Sequence, residues 1–71
     1  MTTGVTAAHY REILRQARIS RGMKQDYVAS KLRIAVSTFC LIEQGRRGLS
    51  VHRFIQLLEL YELTLADFEK T

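Results

Sequence analysis

Cys40, His9 and His52 are the side chains in this 71-residue chain with ready nucleophilic or metal-ligating capacity. They are widely separated and share no ligand spacing, which argues against a metal cluster and against an activated nucleophile. A lone cysteine cannot close an intramolecular disulfide, and its isolation fits a reducing compartment. It reads first as a small hydrophobe; the sharper alternative is a redox-sensitive thiol. No glycine-rich phosphate loop is present. Neither an enzyme nor a cofactor is therefore expected.

The arginines carry a more definite chemistry. Arg46 and Arg47 stand between Gly45 and Gly48, a basic turn of the kind that suits phosphate oxygens; the plainer reading is two solvated loop charges. Residues 1–48 hold nine Lys or Arg against three Asp or Glu, a net +6, whereas residues 49–71 hold two against four, a net −2. Such asymmetry points to a polyanion-binding surface backed by something else.

Immediately before the basic turn stands "VSTFCLIEQ", which has more apolar residues than one buried helix face can use. At about 100° per residue, Phe39, Ile42 and Glu43 fall on one side, and Ser37, Cys40 and Leu41 on the other. Val36 and Thr38 lie at the edges. Phe39 and Ile42 are expected in the core. The face left over, Val36, Ser37, Thr38, Cys40 and Leu41, has two readings. It packs on another helix or a partner chain, or it enters a DNA major groove. There, valine and leucine touch thymine methyls and Ser or Thr bonds base edges.

The elements that must position these residues are all helical, since nothing alternates with period two over strand length. The first is expected over 8–21, with Tyr10, Ile13, Leu14 and Ala17 on one face, Thr6 as cap and Gly22 as left-handed terminator. The second runs over 25–32 with Val28, Ala29 and Leu32 buried. The third covers 36–44 and stops at Gly45. The fourth follows Ser50 to about residue 61, and the fifth covers 65–70, with Thr64 and Asp67 in a capping-box relation. Residues 1–7 are expected to be a flexible arm and 8–71 the folded domain. Only residues 33–35 separate the second and third helices, the geometry of a helix-turn-helix. Gln25 opens the second helix, whose free N–H groups and positive dipole end suit a phosphate; otherwise it merely begins a helix. No apolar run is long enough to span a membrane, and the N-terminus lacks signal-peptide character.

In this order the elements resemble the lambda-repressor-like helix-turn-helix domains of the Cro/C1 and xenobiotic-response-element type. The resemblance covers roughly residues 13–68. It rests on Leu14, Gly22, Gln25, the Val28-Ala29 pair, Phe39, Ile42, Glu43, Gly45, and Leu63-Thr64-Leu65 with Phe68. It implies a five-helix all-α domain in which Val36, Ser37, Thr38 and Leu41 face bases, on the outward face that also carries Cys40. Gln25, Gln44 and the loop arginines Arg46 and Arg47 would meet phosphates. Arg18 and Glu43 would pair across the first and third helices. The chain departs from the family pattern at Arg33, where the tight turn usually has glycine, and at Ala35 and Lys24, where caps are usually Ser or Thr. Arg33 is either a further phosphate contact or a tolerated substitution.

The expected protein is thus a cytoplasmic, bacterial or phage-encoded transcription regulator. It would bind double-stranded DNA as a homodimer on an inverted repeat and repress by occupancy, with activation through RNA polymerase as a variation. A restriction–modification controller and a small phage repressor both have this build. Tyr61, Leu63, Leu65 and Phe68 are the candidate dimer contacts, unless they close the chain's own core. No membrane association and no small-molecule ligand are expected. The alternative class is a protein-interaction module, an antitoxin or bridging factor, with Val36, Cys40 and Leu41 as its docking patch.

Overall fold

A computed structural model describes residues 7–69. The expected cap at Thr6 and the arm, apart from Ala7, lie outside the described residues. Five helices follow one another: α1 (Ala7–Ser20), α2 (Gln25–Leu32), α3 (Val36–Glu43), α4 (Val51–Tyr61) and α5 (Ala66–Glu69). There is no strand among the described residues. Every expected helix is present, with ends displaced by a residue or so where last turns fray.

Each of the first four helices stops by the same device. One residue turns left-handed, and the next N–H reaches back to a carbonyl five residues earlier. The left-handed residues are Gly22 (φ 68°), Arg33 (φ 60°), Gly45 (φ 77°) and Glu62 (φ 58°). The returning bonds are Met23 to Arg18, Ile34 to Ala29, Arg46 to Leu41 and Leu63 to Leu58, at 2.8–3.1 Å. Arg33 therefore adopts the backbone expected of the family's glycine and carries the strain that this costs an L-residue, about 1 kcal/mol. The same strain at Glu62 has no signature in the sequence.

Helix starts differ. The Ser50 hydroxyl accepts the Arg53 N–H at 3.2 Å and caps α4. Asp67 accepts the Thr64 N–H at 2.7 Å ahead of α5. Lys24 and Ala35, at the starts of α2 and α3, supply no side-chain acceptor.

α2 packs on α3, while α1 packs on α4 and α5. The core between them joins Leu14 and Ala17 of α1, Val28, Ala29 and Leu32 of α2, Phe39 of α3, Leu57 and Tyr61 of α4, and Phe68 of α5. Tyr10, Phe54 and Phe68 form an aromatic cluster with centroids 5.0–6.3 Å apart. Two expectations are corrected here. Tyr61 and Phe68, candidate dimer contacts, are 0% and 1% exposed. Their rings are consumed by the chain's own core, packed with Leu14, Phe39 and Leu57 in one buried cluster. Leu63 packs partly against that core, and Leu65 is left 61% exposed.

Candidate nucleic-acid interface

α3 is held by its inner face. Phe39 and Ile42 are buried, and Glu43 at its last turn receives three bonds. Arg18 Nε donates to Glu43 Oε2 at 2.7 Å and its Nη2 donates to Oε1 at 3.2 Å. Gln25 Nε2 donates to the same Oε1 at 2.9 Å. Arg18 also donates to the Met23 carbonyl at 2.9 Å. A two-point arginine–carboxylate contact is directional as well as strong. The pair expected from the resemblance is therefore present, and it ties α1 and the start of α2 to the end of α3.

The outer face of α3 is open. Val36 and Leu41 are 45% and 36% exposed, and Ser37 is exposed with them. Thr38 and Cys40 are only partly accessible. The Cys40 thiol donates to Gln25 Oε1 at 3.1 Å, so it is engaged inward, across the α2–α3 seam. Gln25 thus spends both ends of its amide inside the domain, oxygen on Cys40 and nitrogen on Glu43. What remains for a phosphate at this position is the second N–H of the Gln25 amide and the opening backbone N–H groups of α2, where Lys24 places no side-chain acceptor.

Those N–H groups border a polar cleft of about 480 Å³ lined by Arg15, Arg18, Lys24, Gln25, Glu43 and Gln44. The sequence reading named Gln25 and Gln44 but not Arg15 or Lys24 as neighbours. The signal for Arg15 was its position one turn before Arg18; nothing in the sequence placed Lys24 beside it. Arg46 and Arg47 are exposed on the turn after α3. Arg33 is exposed on the α2–α3 turn and does not line this cleft.

Gly45 is required by its backbone, and it lets Arg11 approach closely. Its φ of 77° is left-handed, and the Arg11 guanidinium lies where a β-carbon would be built, with Nε 2.6 Å away. The contact sets Arg11 against the C-terminal end of α3, where a cation is favoured.

A family model described as a helix-turn-helix domain matches residues 9–70. The chain belongs to that family, a class of DNA-binding domains. No curated protein and no solved structure matches the chain significantly. No described helix is long and apolar enough to cross a membrane.

Proposed function

We propose that this protein is a sequence-specific transcription regulator of the Cro/C1 kind, acting as a dimer on an inverted-repeat operator. The observation that carries the reading is the outer face of α3. It is solvent-exposed, small and apolar, and it is followed directly by the exposed Arg46 and Arg47. Val36, Ser37 and Leu41 read bases, with Thr38 at the edge; thymine methyls are the natural targets of the two aliphatic side chains. Arg46, Arg47, Gln44 and the α2 N-terminus hold phosphates, with Arg33 as an outlying contact. Gln25 and Cys40 brace the reading helix through their mutual bond, and Gln25 keeps a second amide N–H for a phosphate.

In the dimer, two α3 helices enter successive major grooves about 34 Å apart, so half-sites lie about one turn apart. Leu63 and Leu65 remain for the dimer contact once Tyr61 and Phe68 are assigned to the core. Repression follows from occupying the operator, in a bacterial or phage setting such as a restriction–modification controller. A protein-docking module is the competing reading, and the exposure of Val36 and Leu41 favours it to the extent that apolar surface attracts apolar partners.

Binding to a random duplex pool at several salt concentrations separates the two. Several phosphate contacts make affinity fall steeply as salt rises. Replacing Arg46 and Arg47 together by alanine should weaken binding across all sequences. Duplex affinity that ignores both salt and these arginines would rule out the groove model. Selection from the same pool should return a palindrome with important thymines.

A further inference from the structure

A second cavity, about 490 Å³, opens between α1, α4 and the turn joining α3 to α4. That size lies within the range of small-molecule pockets, about 300–1,000 Å³. Its deep wall is apolar: Leu14, Phe39, Ile42 and Leu57 line it, each no more than 7% exposed. Tyr61 completes that wall, and its buried hydroxyl has no hydrogen-bond partner among the described residues.

The remaining lining is cationic. Arg11, Arg46 and Arg47 contribute three positive charges. Glu43 is the sole acid of the lining, and both of its oxygens already receive donors from Arg18 and Gln25. Arg11 is held against Gly45 and has no carboxylate partner among the described residues. A greasy wall beside unneutralised guanidinium groups complements one kind of molecule, an apolar chain or ring ending in an anion. Guanidinium with carboxylate is the strongest planar match available to such a site.

We infer that this cavity binds a small apolar carboxylate, of the size of a medium-chain fatty acid, with its tail on the accessible apolar lining of Tyr10, Leu49, Val51 and Phe54, over the buried floor, and its head on Arg11. This departs from the sequence-based expectation of no small-molecule ligand. Arg46 and Arg47 line the cavity and also belong to the proposed phosphate contacts. An occupant that draws them toward its carboxylate removes them from DNA, so the ligand opposes operator binding. That coupling rests on the DNA-binding reading; the binding itself does not.

The test is a titration of the ¹⁵N-labelled full chain with decanoate, without DNA. Saturable shifts are expected at the Gly45, Gly48 and Leu49 amides. Decanol, which has the same tail and no charge, should bind roughly tenfold or more weakly. Arg11→Gln should remove that preference and leave decanol binding unchanged. Three results would overturn the site: no saturable shifts, equal affinity for decanol and decanoate, or shifts at these amides that follow protein concentration alone, which would mean a second copy fills the cavity. With duplex present, decanoate should lower DNA affinity. Decanoate binding with unaltered DNA affinity would sink the coupling and leave the site. Absence of duplex binding before any decanoate is added would sink the DNA reading and leave the decanoate result standing.

Discussion

Tyr61 shows how a single side chain can act in a way its type does not announce. It closes the core at the end of α4, fully buried. Burial disfavours the phenolate, and the nearby Glu43 charge adds to this, against a smaller opposing pull from Arg18 and Arg21. Its pKa is pushed well above the ordinary 10.0. The consequence has a definite sign. Above pH 10 the unfolded chain releases the Tyr61 proton while the folded chain keeps it, so stability falls as pH rises. Tyr61→Phe should flatten the stability profile above pH 10 as followed by urea unfolding. It should cost little near neutrality, because the lost hydroxyl makes no bond to the described residues. A profile identical to that of the parent protein would contradict the assignment. Position 61 was readable as apolar; that its ring turns inward rather than toward a partner was not. That choice depends on how the helices pack around it.

At the scale of elements, the helix-turn-helix is held by one polar junction and four matching stops. Arg18 and Glu43 keep 12% and 9% of their side-chain surface exposed. Removing one partner of a fully buried pair costs about 3–5 kcal/mol, and residual exposure lowers the expectation here to about 2–3 kcal/mol. Arg18→Ala and Glu43→Ala should each destabilise by that amount. Their effects should be strongly non-additive in a double-mutant cycle measured by denaturant unfolding. Simple additivity would show that the pair contributes nothing as a pair. Glu62 offers the opposite test. An L-residue held left-handed costs about 1–2 kcal/mol, while glycine costs about 0.5–1 kcal/mol in unfolded-chain entropy. Glu62→Gly should therefore raise stability by roughly 0.5–1 kcal/mol, read as a higher Tm. A lowered Tm would mean that the Glu62 side chain contributes more than its backbone strain costs. The stops at Gly22 and Gly45 were legible because glycine marks left-handed backbone. Arg33 was legible because the family pattern places glycine there. Glu62 was not, since its conformation is imposed by where Leu63 must pack.

For the whole molecule, charge is unevenly distributed along the chain, with a net +6 over residues 1–48, which include the reading helix, and −2 over residues 49–71, which include Leu65. Leu65 is largely exposed, so Leu65→Lys should leave folding intact while weakening self-association. Light scattering over a concentration series should show the variant monomeric where the parent chain dimerises. A parent chain that stays monomeric at high micromolar concentration, with and without DNA, would end the dimer proposal. Val51 and Ile55, four residues apart on α4, are also exposed, at 74% and 48%. If Leu65→Lys leaves the dimer intact, that stripe becomes the better candidate for the contact.

Helix positions and the inward side of α3 follow from local spacing, because helical periodicity is a property of consecutive residues; the Arg18–Glu43 pairing, 25 residues apart, was implied by the family resemblance alone. The outward surplus of "VSTFCLIEQ" was equally visible at that level. Which of those residues remain outside was settled only by tertiary packing. Cys40 turns to Gln25, Gln25 turns to Glu43, and Val36, Ser37 and Leu41 stay exposed. Likewise local spacing does not separate Tyr61 and Phe68 from Leu65. They differ because a 71-residue chain has few large rings with which to fill its core, and the nearest ones are taken inward. Long-range packing assigns such residues, and no window of neighbouring sequence contains that information.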